Sequence, residues 1–225
     1  MASCLRKSVI EEIKMGRIIF TIFAVVVLGI CLTLSAKNTN TEKKTMENTN
    51  KNRKVLVAYF SRTGEQYSVG SISEGNTAII AKMIAAKTGG DLFEIKVAKD
   101  NYPKGYSALT EYAKAEKQKN ARPEIAGKVA KFADYDTVFI GYPNWWGDMP
   151  MPVYTFLESY DFNNKNVVPF CTHEGSGIGG TESRVKNAAK GSKALKGFAV
   201  YGHTAQNERA EAEKKVSQWL KEIGF

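Results

Sequence analysis

Hydrophobic and polar positions divide this chain into three stretches. Residues 18–36, from Ile18 through Ala36, are almost wholly apolar and carry no charge. Residues 37–53 hold Asn, Thr, Lys and Glu with almost nothing apolar. From Lys54 onward, short apolar runs alternate with longer stretches of helical spacing. The runs Lys54–Phe60, Asp91–Val97, Asp136–Tyr142, Asn166–Thr172 and Gly197–Tyr201 read as strands: the first is a short apolar run of the kind buried on both faces, and Asp91–Val97 is recognised by its alternation. Helices are expected over Ala78–Lys87, Tyr106–Lys119, Val153–Leu157 and Thr181–Lys190, with a short helical piece near Val129–Ala133. A closing helix over Glu208–Ile223 carries Ala212, Val216, Trp219, Leu220 and Ile223 at helical spacing. Strands alternating with helices predict an α/β fold, a doubly wound five-stranded parallel sheet with right-handed crossovers. Pro169, inside the fourth strand, predicts a local irregularity in pairing.

The apolar stretch 18–36 is long enough nearly to cross a bilayer core of roughly 30 Å. Arg6, Lys7, Lys14 and Arg17 precede it, the positive flank expected on the cytoplasmic side. Two readings follow for residues 1–36: a secretory signal cut after Leu34-Ser35-Ala36, or an uncleaved membrane anchor. Met15-Gly16-Arg17 ahead of the apolar run also has the proportions of a translation start at Met15. Either reading places the remainder outside the cytoplasm. Residues 37–53 cannot bury enough surface to order themselves and read as a flexible linker. Residues 54–225 then form the folded domain.

Charge sharpens this division. The chain carries +9 in all; residues 1–53 contribute nine Lys/Arg against four Asp/Glu, and residues 54–225 contribute 23 against 19. Over half of the excess lies ahead of the folded part, which shows no basic stripe with interleaved aromatics, so nucleic acid is not an expected partner. Cys4, Cys31 and Cys171 are scattered, and with only two His residues they build neither a disulfide framework nor a metal site. Cys171 is expected to be a buried small hydrophobe.

The candidate chemistry sits in three loops. After the first strand come Ser61-Arg62-Thr63-Gly64, a longer segment from Glu65 to Glu74, and Gly75-Asn76-Thr77 at a helix start. Free backbone N–H groups, hydroxyl donors and the helix dipole converge there as they do in a phosphate site. No Gly-Lys-Ser/Thr follows, so a monophosphate ester suits the loop better than a triphosphate with Mg²⁺. The alternative is that Thr77 merely caps the helix. After the third strand, Gly141-Tyr142-Pro143-Asn144-Trp145-Trp146-Gly147-Asp148-Met149-Pro150 crowds two tryptophans into one loop, costly unless something flat and apolar covers them. Gly147 allows close approach of a ligand or a positive φ. The alternative is that both indoles cap the local core. After the fourth strand, Gly175-Ser176-Gly177-Ile178-Gly179-Gly180 matches a dinucleotide fingerprint, yet it does not open the sheet and is followed by Lys193 and Lys196 rather than an acid. It reads instead as small-residue backbone passing close to a flat ligand. In a sheet ordered 2-1-3-4-5, strands one, three and four are neighbours, and their carboxyl-end loops meet at the switch point. A phosphorylated planar cofactor satisfies all three.

Tyr59-Phe60-Ser61-Arg62-Thr63-Gly64 with Gly75-Asn76-Thr77, then Tyr142 to Pro150, then Thr172-His173-Glu174-Gly175-Ser176-Gly177 resemble the flavodoxin family, closest to the bacterial branch whose ring loop carries Trp-Trp-Gly. The resemblance spans about Lys54 to Phe225. It implies FMN, with the phosphate held by Ser61, Thr63, Asn76 and Thr77, joined by Arg62 and Gly64. The ring would lie between Pro143, Asn144, Trp145, Trp146 and Gly147 on one side and Thr172, His173, Gly175, Ser176 and Gly177 on the other. In that family the peptide beside the loop glycine can turn its carbonyl toward the flavin N5 as the ring takes up an electron and a proton, and Gly147 is the matching position. Two departures stand out: residues 65–74 interrupt the plain family loop, and the domain is mildly basic where many flavodoxins are acidic.

The expected function is an FMN-binding electron carrier of one or two electrons between redox partner proteins or small acceptors. The alternative is an NAD(P)H-dependent quinone reductase on the same fold, with residues 65–74, His173 and the double Trp shaping a pocket. His173 would then donate a proton; otherwise it bonds phosphate, ribose or water. A third reading is an anchored binding domain without a redox role.

Overall fold

A computed structural model describes residues 53–225. The apolar stretch, the Met15 start and the linker through Asn52 lie outside the described residues. Among the described residues no helix is long and apolar enough to cross a membrane.

The central sheet is parallel, built from β1 (Val55–Tyr59), β4 (Asp91–Glu94), β7 (Thr137–Pro143), β8 (Asn166–His173) and β10 (Phe198–Tyr201). Their spatial order, β10-β8-β7-β1-β4, is the expected 2-1-3-4-5 arrangement. Alternation of side chains explains the two layers. Along β1, Leu56 and Ala58 pack on one face and Val55, Val57 and Tyr59 on the other. The first face is covered by α2 (Tyr106–Gln118), α3 (Met151–Glu158) and α4 (Thr181–Ala188), through Leu109, Val153, Phe156, Leu157 and Val185. The second is covered by α1 (Asn76–Thr88) and α6 (Arg209–Glu222), through Ile79, Ile80, Ile84, Ala212, Val216, Trp219 and Leu220. At about 1.5–3 kcal/mol for each fully buried large apolar side chain, these two layers are the main stabilising term.

The fifth strand position is split. A two-residue strand, β9 (Lys193–Ala194), pairs with Asn166 and Val167, and β10 takes up the same edge at Phe170. Pro169 is the cause. The Val167 carbonyl accepts from Leu195 and the Asn166 N–H donates to Asp136, so odd-numbered residues of β8 face the fifth strand. Pro169 has no N–H to offer there. The chain bulges past it at Gly197, whose N–H turns instead to the Glu182 carboxylate at 2.7 Å.

Three elements were not expected. Residues 65–74 hold a hairpin, β2 (Gly64–Gln66) against β3 (Gly70–Ile72). The second expected strand breaks at Ile95, and its tail, β5 (Lys96–Val97), leaves the sheet to pair with β6 (Ile125–Ala126). A six-residue helix, α5 (Gly202–Asn207), precedes α6. The helical piece near 129–133 is a single 3₁₀ turn, Phe132–Asp134.

Candidate functional site

The loop after β1 turns at Ser61–Thr63 into the hairpin, and the chain returns at Gly75 beside its own starting point. A Cβ on Gly75 would overlap the Ser61 Oγ and lie 2.6 Å from the Arg62 carbonyl oxygen. Gly75 has φ −70° and ψ 145°, open to any residue. Contact, and not dihedral freedom, requires glycine here. The Ser61 Oγ accepts from the Ala78 N–H at 3.1 Å, tying the loop to the first turn of α1. The Asn76 and Thr77 N–H groups have no partner within the helix, and the positive end of its dipole lies beside them. The Thr77 hydroxyl is no cap: it is buried and shares a 2.8 Å hydrogen bond with the Thr172 hydroxyl. Arg62 turns away from this corner. Its Nη1 donates to Asp100 at 2.7 Å, with the guanidinium 5.0 Å above the Tyr102 ring. Arg62, Thr63 and Gly64 line a second cleft of about 470 Å³ on the β4 side.

The loop after β7 is built around a two-residue turn. Trp145 N–H donates to the Asp148 carbonyl at 2.8 Å and Asp148 N–H to the Trp145 carbonyl at 3.0 Å. Between them Trp146 has φ 54° and Gly147 φ 69°, the pair of positive values that a type I′ turn demands. Glycine takes this at no cost, whereas a bulky non-glycine residue there stores about 1–3 kcal/mol of strain. Helix α2 offsets it from one face. Trp146 Nε1–H donates to the Thr110 carbonyl at 2.9 Å, Lys114 Nζ sits 5.1 Å from the indole centroid, and Lys117 Nζ donates to the Trp146 carbonyl at 2.6 Å. The two indoles therefore part company. Trp145 packs edge-on against Phe60 and Tyr102, while Trp146 stays half exposed.

Asn144 and Thr172 stitch the three loops together. Asn144 N–H donates to the Thr172 carbonyl at 2.8 Å, its Nδ2 to the Gly177 carbonyl at 2.8 Å, and its Oδ1 accepts from Gly147 N–H at 3.0 Å. Thr172 reaches the first loop through Thr77. Behind them, buried Tyr142 donates to Thr181 Oγ1 at 2.8 Å, fixing the end of β7 to the start of α4. The result is a cavity of about 340 Å³ walled by Asn76, Pro143, Asn144, Trp145, Trp146, Gly147, Thr172, His173 and Ser176. Gly175 and Gly177 stand in the same loop with positive φ, and a Cβ on either, or on Gly147, would meet nothing within 4 Å. Thus the second and third loops converge as the sequence reading places them; of the first loop, Asn76 faces the cavity, Ser61 and Thr77 stand behind it, and Arg62, Thr63 and Gly64 lie across β1.

Gln66 and Tyr67 of the hairpin line the cavity, within the segment 65–74 that the reductase reading places at a pocket, whereas Tyr106, Leu109, Thr110 and Ala113 of α2 have no part in the sequence reading of the site. The hairpin is seated by Glu65, whose Oε2 accepts the Tyr106 N–H at 2.8 Å at the start of α2, and by stacking of Tyr67 on Tyr106 with centroids 5.8 Å apart. Asn76 is held from outside by Gln206 of α5 at 2.8 Å, and Glu174 accepts both the N–H and the ring Nδ1 of His203. No local pattern marks these positions, since each acts across more than twenty residues of sequence.

The Asp148 side chain is the buried charge of the site. Its Oδ1 accepts from Met149 N–H at 2.8 Å and Tyr154 OH at 3.0 Å, and its Oδ2 pairs with Arg184 and lies 3.7 Å from Lys117 Nζ. Burial and this carboxylate push the Tyr154 phenol up to about 12. Burial also pushes the Cys171 thiol up to about 12, so it is an inert core residue as expected. Burial holds His173 below its ordinary 6.5, with Glu174 opposing and His203 assisting. Its Nδ1 accepts the Gly175 N–H at 2.9 Å, a bond open only to the neutral ring. The unfolded chain therefore binds this proton more tightly, and the contribution to stability is full above 6.5 and lost as pH falls below it. An NMR titration of His173 is expected to give a midpoint below 6.5. His173→Asn should lose less stability than wild type between about pH 7 and pH 5; a midpoint at or above the ordinary value would contradict this.

The flavodoxin family model matches residues 54–223. Among solved structures, the chain is similar to a protein of Bacteroides eggerthii described as a candidate flavoprotein, at 32% identity over 77% of this chain and 99% of that one, TM-score 0.62. A protein of the same description from Bacteroides uniformis shows 32% identity over 75% and 98%, TM-score 0.60. A flavoprotein from Lactobacillus acidophilus, solved in complex with FMN, shares the fold at 23% identity over 70% and 99%, TM-score 0.51. Among curated proteins none matches this chain.

Proposed function

Because the chain belongs to the flavodoxin family, we propose that it holds FMN where its three loops meet and carries one or two electrons between redox partner proteins or small acceptors. The observation that carries this reading is the direct bonding among the loops: Thr77 to Thr172, Thr172 to Asn144, Asn144 to Gly147 and Gly177. A rigid junction with open space above its glycines suits a flat ligand. The phosphate would take the Asn76 and Thr77 N–H groups with Ser61, and Thr77 would contribute its N–H because its hydroxyl is engaged with Thr172. The ring would take the cavity between Trp145–Gly147 and Thr172–Ser176. FMN supplies the electron chemistry; the residues bind it, orient it and keep water from its faces.

The hairpin favours a second reading, an NAD(P)H-dependent quinone reductase. Gln66 and Tyr67 raise a wall beside the ring space, as a substrate pocket would need. The apolar stretch 18–36 and its basic flank support export or anchoring with residues 54–225 outside the cytoplasm, which a reporter fused to the C-terminus tests. Titrating the purified protein with FMN should give a yellow complex with measurable heat; a protein that stays colourless and gives no heat sinks the reading. Bleaching of that colour by NADPH alone marks the reductase, and its absence marks the carrier.

A further inference from the structure

The Trp146–Gly147 peptide is held at both ends by side chains, its carbonyl by Lys117 Nζ at 2.6 Å and its N–H by Asn144 Oδ1 at 3.0 Å. Both flanking residues sit at positive φ, so the turn is a strained element that other groups must hold. Asn144 belongs to the loop itself. Lys117 does not: it reaches in from α2, twenty-nine positions away in sequence. It also stands 3.7 Å from Asp148 Oδ2, which Arg184 already pairs. One carboxylate against two cations leaves the cluster one positive charge in excess, behind the Trp146–Gly147 turn that lines the cavity.

We infer that Lys117 is a positioning residue that sets how the site discriminates reduced from oxidised FMN, an inference that rests on the FMN reading above. It does so through its charge. The ammonium is held in place on the Trp146 carbonyl and is only partly neutralised by Asp148, so it favours the more electron-rich reduced cofactor over the oxidised one in a partly buried setting. This effect acts on the difference between the two redox states, and a residue that merely braced the loop would weaken both complexes equally.

The test is the pair of dissociation constants for FMN, oxidised and dithionite-reduced, measured on the full chain. The variants are Lys117→Met, Lys117→Gln and Lys117→Arg, with Lys119→Met removing a charge from the end of the same helix. In the Met and Gln variants, the preference for reduced over oxidised FMN is expected to fall about tenfold, the scale of one charged hydrogen bond. Lys117→Arg should keep most of the preference and Lys119→Met all of it. A preference unchanged or increased in the Met and Gln variants overturns the inference, as does an equal loss in both constants. Wild-type protein that takes up FMN in neither state overturns the FMN reading itself and this inference with it.

Discussion

Gly75→Ala is expected to weaken FMN binding about a hundredfold, the scale of a displacement near 1 Å in a positioned site. The added methyl overlaps the Ser61 Oγ and stands 2.6 Å from the Arg62 carbonyl oxygen. The backbone dihedrals of Gly75 suit alanine, so the whole effect is steric and local. Ser61 must retreat, its bond to the Ala78 N–H is lost, and the loop opens away from the N–H groups that would hold the phosphate. Overpacking of this kind costs about 1–3 kcal/mol, a shift of several degrees in the thermal midpoint. The folded protein thus survives while its cradle does not. Calorimetric titration of wild type and variant with FMN reads the difference, and a dissociation constant within about threefold of wild type would show that this corner does not hold the ligand. Gly75→Ser, with one more atom in the same clash, should bind no better.

The first, third and fourth strands of the sheet were legible because burial on both faces leaves a short apolar run, and the second, at the sheet edge, through its alternation. Their order followed from the loops: only neighbouring strands one, three and four could bring Ser61, Trp145 and Gly175 to one rim. Pro169 announced a local irregularity through the donor it lacks, and the structure places that irregularity at the fifth strand, which splits there. The hairpin at Gly64–Ile72 was not legible, because Gln66-Tyr67-Ser68-Val69-Gly70 has no alternation and buries no face. What makes it a hairpin is its seat on α2, through Glu65 and Tyr67, which no local pattern encodes. The same holds for α5, whose Gly202 start and polar length carry no helical stripe; it exists because Glu174 and Asn76 need the partners it supplies. Arg62 shows the limit for single residues. In sequence it sits among phosphate donors, but Asp100 and Tyr102, brought near by the broken second strand, draw its side chain to the other side of β1.

Asp148→Asn is the substitution expected to cost most stability, about 2–4 kcal/mol. In sequence this residue is one acid in a loop, yet it is 4% exposed and joins four groups. An amide keeps the Oδ1 bonds to Met149 and Tyr154, but it turns a donor toward Arg184 and Lys117, which then face each other without a counter-ion. Those two side chains are 42% and 33% exposed, so water recovers part of their solvation, and the loss stays below that of a fully sealed pair. Urea unfolding should show a lower midpoint at unchanged slope, because the same surface is exposed. Salt tests the cause. Screening reaches the two part-exposed cations, so high ionic strength should recover the part of the loss that their repulsion causes, while the part that comes from the buried carboxylate itself persists. A double variant with Lys117→Met should be less destabilised than the two single losses combined, because removing one cation relieves the repulsion that the amide creates. If the losses simply add, the carboxylate holds the turn through Met149 and Tyr154 alone, and the cations at the ring loop act independently of it.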